Sequence, residues 1–92
     1  MPPPRRRRAI ALRYDKEAGG APKVTASGAG LVADRILELA RESGVPVRDE
    51  PALVEALARL ELEQEVPPEL YAAVAETLVW AYDLDRKRRY QR

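Results

Sequence analysis

Glu61, Glu63 and Glu65 alternate along the chain, a spacing compatible with paired catalytic carboxylates. A glycosidase needs two carboxylates across a cleft, with the pKa of one raised by burial. A loop of solvated glutamates offers neither the cleft nor the burial. We therefore interpret these three side chains as surface charge.

Gly28 and Gly30 follow a predicted strand and precede a predicted helix, as glycines do in phosphate-binding turns. The G-x-G-x-x-G pattern is incomplete because Ala33 stands at its last position, and no P-loop lysine follows. The glycines instead predict a helix cap and tight packing of a helix on a sheet. No small-molecule substrate is expected.

Four residue types are missing from the 92 residues: Cys, His, Asn and Phe. Without Cys there is no disulfide, thiol nucleophile or thiolate metal site, which suits a reducing cytoplasm. Without His, the usual general base and the commonest transition-metal ligand are lacking. No Asp-x-Asp calcium loop appears either. We predict a protein that is not an enzyme, with no catalytic residues, no metal and no cofactor.

The net charge of +1 hides a segregation of charge. The body between the two ends holds all fifteen acidic residues and seven basic ones, a net charge of −8. We predict a disordered basic arm over residues 1–8, a domain over 9–85 and a basic tail over 86–92. The basic residues at the ends are Arg5, Arg6, Arg7, Arg8, Arg86, Lys87, Arg88, Arg89 and Arg92.

These basic ends could contact anionic lipid, nucleic acid or an acidic protein. Alternatively, they are solvated tails that fold back on the acidic body. A nucleic-acid reader should interleave aromatic residues with its charge, yet Tyr90 is the one aromatic residue in either end. The acidic body would also repel phosphate, so no nucleic-acid partner is expected.

The body predicts a small α/β domain in which a short three-stranded sheet packs with three helices in the order β-β-α-β-α-α. Val45-Pro46-Val47 is the third predicted strand, and its proline favours an edge or a strand start. The last helix begins after Pro67-Pro68 and should be the best buried. Its predicted buried residues are Leu70, Tyr71, Val74, Ala75, Thr77, Leu78, Ala81 and Tyr82, and Trp80 is also interpreted as core.

No membrane-spanning or targeting segment is predicted. The longest mainly apolar stretch, residues 70–81, contains Glu76 and is too short to cross a bilayer. The N-terminal arginines are not followed by the apolar run of a signal peptide. We expect a cytoplasmic protein.

Several short motifs occur in order over residues 9–84, at spacings similar to those of one known family. Together they resemble the cytoplasmic domain of the FlhB/YscU family of type III secretion export-gate proteins. The motifs are Ala9-Ile10-Ala11-Leu12-Arg13-Tyr14-Asp15, Ala21-Pro22-Lys23-Val24, Gly28-Ala29-Gly30-Leu31, Val45-Pro46-Val47, Asp49-Glu50-Pro51-Ala52-Leu53, Glu65-Val66-Pro67-Pro68-Glu69-Leu70-Tyr71 and Ala73-Val74-Ala75-Glu76.

The resemblance breaks at the self-cleavage motif of the family. Members carry a membrane domain and then Asn-Pro-Thr-His, whereas Pro4-Arg5-Arg6-Arg7 stands at the corresponding position here. Because the chain has no Asn, cleavage through a succinimide cannot occur. The chain resembles a stand-alone form of the fragment that family members produce by cleavage. It lacks the strand before the motif, so we expect a sheet edge open to another chain.

The resemblance implies a non-catalytic component or modulator of flagellar type III protein export. Its implied partners are early export substrates of the rod and hook type or export-gate proteins, and the implied role concerns the switch in export specificity. The positions matching the family's apolar binding patch are Ala21, Pro22, Ala75 and Leu78. Ala75 and Leu78 could instead simply pack the last helix, whereas Ala21 and Pro22 lie in a turn better placed for exposure.

Two other interpretations stay open. The chain could be a small regulatory adaptor whose basic ends bind anionic lipid or nucleic acid, or an inert degenerate copy. The export interpretation places the protein in the cytoplasm, at the cytoplasmic face of the export apparatus, with a peripheral contact to anionic membrane as an additional partner.

Overall fold

The computed structural model describes residues 7–90. The first two elements form an antiparallel hairpin of β1 (Arg8–Arg13) and β2 (Lys23–Ala29). Ala11 pairs with Ala26 while Leu12 pairs with Val24, so the register shifts between these two pairs. Thr25 is the extra residue of this β-bulge, and its hydroxyl donates to the Ala11 carbonyl at 3.4 Å.

Three α-helices and a short 3-10 helix follow the hairpin: α1 (Leu31–Glu42), α2 (Pro51–Leu57), the 3-10 turn Pro68–Leu70 and α3 (Tyr71–Tyr90). The core lies between the hairpin and the helices, where Leu57, Val66 and Val74 are buried together. Six half-buried side chains pack against this cluster: Ile10, Leu12, Leu53, Leu60, Leu70 and Leu78.

The two glycines before α1 serve structural roles, as the sequence predicted. Gly28 lies within β2, where a Cβ atom would come 2.2 Å from Val32 Cγ1, so only glycine permits this approach of helix to strand. Gly30 is the N-cap residue and has a φ of 60°, in the left-handed region that favours glycine. The strand therefore ends at Ala29, and the helix begins at Leu31 after the Gly30 cap.

The predicted third strand at Val45-Pro46-Val47 is wrong: among residues 7–90 the sheet has two strands, β1 and β2. The Val45 amide donates a hydrogen bond to the Ala40 carbonyl at 2.8 Å at the end of α1. This amide is therefore already bonded within the helix end. Pro46 has no amide to contribute to a ladder. The small α/β class holds, with the order β-β-α-α-α apart from the 3-10 turn.

Residues 63–66, which the sequence did not predict to be a strand, lie beside the start of β2. The Val24 amide donates a hydrogen bond to the Gln64 carbonyl at 3.2 Å, and the Glu63 amide donates one to the Val24 carbonyl at 2.7 Å. Lys23 and Glu65 form an isolated antiparallel bridge. The loop that contains Glu61, Glu63 and Glu65 was interpreted as solvated. It is attached to β2 by its backbone, while the three glutamate side chains are exposed.

Candidate partner-binding surface

Ala21 and Pro22 lie at the end of the β1–β2 connection, immediately before β2. Both are half-buried, which makes them less exposed than the sequence led us to expect. The Pro22 carbonyl accepts a hydrogen bond from the Val66 amide at 2.8 Å. This backbone hydrogen bond therefore holds Ala21 and Pro22 beside residues 63–66.

Ala21 also borders a polar hollow of about 530 Å³ below the β1–β2 connection. Its lining carries charges of both signs. The other residues that line it are Arg13, Asp15, Ala18, Gly19, Gly20, Lys23 and Glu65.

Ala75 and Leu78 lie one turn apart on α3 and differ in burial. Ala75 is exposed. Leu78 is half-buried and packs against the core cluster that contains Val66 and Val74. A purely structural role in packing therefore fits Leu78 better than Ala75. Part of the Leu78 side chain is still exposed to solvent.

Val66 joins the two pairs of candidate residues. Its side chain is 1% exposed and lies in the core cluster against which Leu78 packs. Its amide holds the Pro22 carbonyl. Val66 thus bonds to the turn before β2 through its backbone and belongs, with Val74 of α3, to the core cluster.

The expectation that Tyr71, Ala75 and Tyr82 belong to the buried face of α3 is wrong. Tyr71 is 47% and Tyr82 is 57% exposed, and Ala75 is exposed between them. Val79, which the sequence did not single out, is 59% exposed. Because apolar residues surround the helix on all sides, their spacing could not tell the buried face from the exposed one.

Trp80 lies on another side of α3, half-buried beneath Arg48. The Arg48 guanidinium carbon is 5.7 Å from the centroid of the Trp80 ring, within the range of a cation–π contact. A groove of about 390 Å³ runs beside this pair. Its other lining residues are Glu76, Val79, Asp83, Leu84 and Lys87.

The structure describes part of each basic end. Arg8 is the first residue of β1, one residue before the predicted start of the domain, and Arg7 forms an ion pair with Asp34 at 2.9 Å. The last turns of α3 carry exposed Arg86, Lys87 and Arg88, and the backbone of Arg89 is helical. Arg5 and Arg6 lie outside the described residues, as does Arg92.

The part of the chain that the structure describes contains no group of three or more acidic side chains positioned to hold a metal ion. In the same part, no helix is long and apolar enough to cross a membrane. What the surface does offer is apolar contact area, flanked by charge at both ends of α3.

The fold and this surface define a small α/β domain with exposed apolar residues on its longest helix. Residues 6–81 match the family described as FlhB HrpN YscU SpaS. The chain therefore belongs to this family, which comprises components of the flagellar and type III export apparatus.

Two relatives illustrate the match. The chain is 51% identical to the flagellar biosynthetic protein FlhB of Escherichia coli K12 over 80 residues, which cover 86% of the chain and 21% of that protein. It is 42% identical to YlqH of Bacillus subtilis over 79 residues, which cover 86% of the chain and 85% of YlqH. The chain thus spans about a fifth of E. coli FlhB but most of YlqH.

Two solved structures share the fold. The cytoplasmic domain of FlhB from Shewanella putrefaciens has a TM-score of 0.85 and 34% identity, over 89% of this chain and 64% of that one. The PscU C-terminal domain has a TM-score of 0.75 and 34% identity, over 85% of this chain and 98% of that one.

Proposed function

We propose that this chain is a non-catalytic binding module of the flagellar protein export apparatus, located at its cytoplasmic face. It binds early export substrates of the rod and hook type, or export-gate proteins, through Ala21, Pro22, Ala75 and Leu78. Family membership supports the export role. The observation that carries the assignment of the surface is the exposure of Ala75 beside the half-buried Leu78.

The position of Pro22 supports a single surface. The Pro22 carbonyl accepts a hydrogen bond from the Val66 amide, and Leu78 packs against the core cluster to which Val66 belongs. A partner that contacts the turn before β2 and the middle of α3 would therefore meet residues held in a fixed relation. Such pre-organisation reduces the entropy lost on binding.

The test is a titration of the purified chain with a rod or hook subunit, followed by calorimetry or NMR at low and at high salt. We expect saturable binding that changes little with salt, because apolar contacts are not screened. Ala75→Asp should weaken it at least about tenfold, since an apolar partner would have to desolvate the new charge.

Leu31→Asp is the matched control, because Leu31 is 85% exposed on α1 and lies outside the proposed surface. It should bind as the unmodified chain does. Saturable binding that Ala75→Asp leaves intact would argue against this surface, and absence of binding to any export component would argue against the function.

The open edge of β1 supports a second mode of contact with an export-gate protein. Within residues 7–90, β1 pairs with β2 and with no other strand. An extended segment of a gate protein could add to this edge, where backbone hydrogen bonds supply affinity. Hydrogen exchange of the β1 amides should slow in the complex, and unchanged exchange would contradict this mode.

The alternative function is that of a regulatory adaptor that binds anionic lipid or nucleic acid through its basic ends. The exposure of Arg86, Lys87 and Arg88 supports it. Binding of this kind depends on charge and should weaken steeply as salt rises. Co-sedimentation with vesicles containing phosphatidylserine, which salt abolishes, would support peripheral membrane contact; no co-sedimentation at low salt would count against it.

A further inference from the structure

One side of α3 carries a line of exposed residues that extends beyond the proposed binding positions. Tyr71, Ala75, Val79 and Tyr82, named here the α3 stripe, are spaced by four, four and three residues. This spacing places them on the same side of the helix, over a length of about 17 Å. A continuous apolar strip of this kind marks a protein contact surface.

The charges at the two ends of the α3 stripe indicate which charges a complementary partner carries. Arg86, Lys87 and Arg88 are exposed beyond Tyr82. Glu65 and Glu69 are exposed before Tyr71, where the 3-10 turn leads directly into α3. A complementary surface must therefore present an apolar strip with the opposite order of charge.

We propose that α3 of a second copy of this chain supplies that surface, packed antiparallel to the first. In this arrangement Tyr71 of each copy lies beside Tyr82 of the other. The small Ala75 meets Leu78 and Val79 of the second copy near the two-fold axis, where it lets the helices approach closely. A symmetric contact of this type uses the same patch on both chains.

The register of the stripe brings the opposite charges together. When residue 71 lies beside residue 82, Arg86 lies beside residue 67 of the second copy, between Glu65 and Glu69. A parallel arrangement would instead place the basic ends of both helices side by side. Charge repulsion therefore favours the antiparallel pair.

A contact made by one helix face is smaller than the roughly 800 Å² per partner of stable complexes. We therefore expect a dissociation constant in the micromolar range or weaker. This proposal does not depend on the proposed function, because it needs no export component. Since Ala75 belongs to both surfaces, the dimer and an export partner would compete.

Sedimentation equilibrium of the 92-residue chain over a wide range of protein concentration tests the proposal. The unmodified chain should pass from monomer to dimer. Val79→Glu should raise the dissociation constant at least about tenfold, because it places two charges near the two-fold axis. Leu31→Glu, with the same change of charge on α1, should dimerise normally. A chain that stays monomeric, or a dimer indifferent to Val79→Glu, would overturn the proposal.

A charge swap tests the orientation. Arg86→Glu should weaken the dimer and Glu69→Arg should weaken it too, while the double variant should recover most of the affinity. Circular dichroism checks that each variant keeps its helices. In a parallel pair, Arg86→Glu alone would strengthen association by removing repulsion, and that result would refute the antiparallel arrangement.

Discussion

The two halves of the proposed binding surface are positioned by different forces. Ala21 and Pro22 precede β2, and a backbone hydrogen bond from Val66 to the Pro22 carbonyl holds them. On α3, Leu78 is held by side-chain packing against the core, while the neighbouring Ala75 stays exposed. A position held by its backbone tolerates a change of side chain, whereas one held by packing does not.

The largest expected effect is on the α3 half. Leu78→Asp places a carboxylate against the core cluster and should lower the free energy of unfolding by on the order of 3 kcal/mol. Ala75→Asp, three residues away, should cost less than about 1 kcal/mol because its side chain stays in solvent. Urea unfolding of both variants measures the difference.

Equal losses of stability in these two variants would remove the distinction between Ala75 and Leu78. If Leu78→Asp were as stable as the unmodified chain, the side chain would serve the surface alone. Ala75→Asp is therefore the cleaner probe of partner binding, and Leu78→Asp is mainly a probe of the fold.

A smaller effect is expected at the residue that joins the two halves. Val66→Ala removes two buried methyl groups and should cost about 2 kcal/mol, from lost burial and from the cavity left behind. The backbone bond to Pro22 does not require the valine side chain. Thermal unfolding measures the stability, and hydrogen exchange of the Val66 amide reports the bond separately. Rapid exchange of that amide in an otherwise folded variant would show that side-chain packing holds both halves.

The smallest effect is expected at the turn before β2. Pro22→Ala keeps the carbonyl that accepts from Val66, so the loss should stay below about 1 kcal/mol and arise mainly from a more flexible unfolded chain. Chemical denaturation checks the value. A loss above about 2 kcal/mol would mean that the proline ring itself packs, contrary to the contrast between the two halves.

The sequence predicted well the structural roles that depend on neighbouring residues in the chain. Gly28 and Gly30 were interpreted as a tight helix–sheet junction, and the structure confirms this at both positions. The last helical segment was predicted to begin near Pro67-Pro68, and Pro68 is the first residue of the 3-10 turn that leads into α3. The resemblance to the FlhB/YscU family is confirmed by the match over residues 6–81. The roles of Ala21, Pro22, Ala75 and Leu78 stay predictions.

Residues whose environment depends on distant partners were predicted less well. Val45-Pro46-Val47 has the composition of a strand, yet Val45 closes α1, and residues 63–66 lie beside β2 instead. Tyr71 and Tyr82 were assigned to the core of α3 and are exposed. Residues 63–66 are mostly polar and lie beside β2 through backbone hydrogen bonds, which their composition does not indicate. On α3, more than one face had enough apolar residues to be buried.

The amino-acid sequence by itself determined which residue types the chain lacks, the structural role of the glycines before α1, and the family to which the chain belongs. These properties depend on residue types and on short-range backbone preferences. Only the tertiary structure decided which segment pairs with β2 and which side of α3 faces solvent. Those choices depend on contacts between residues far apart in the chain, and such contacts form in whichever arrangement buries the apolar surface and satisfies the backbone hydrogen bonds together.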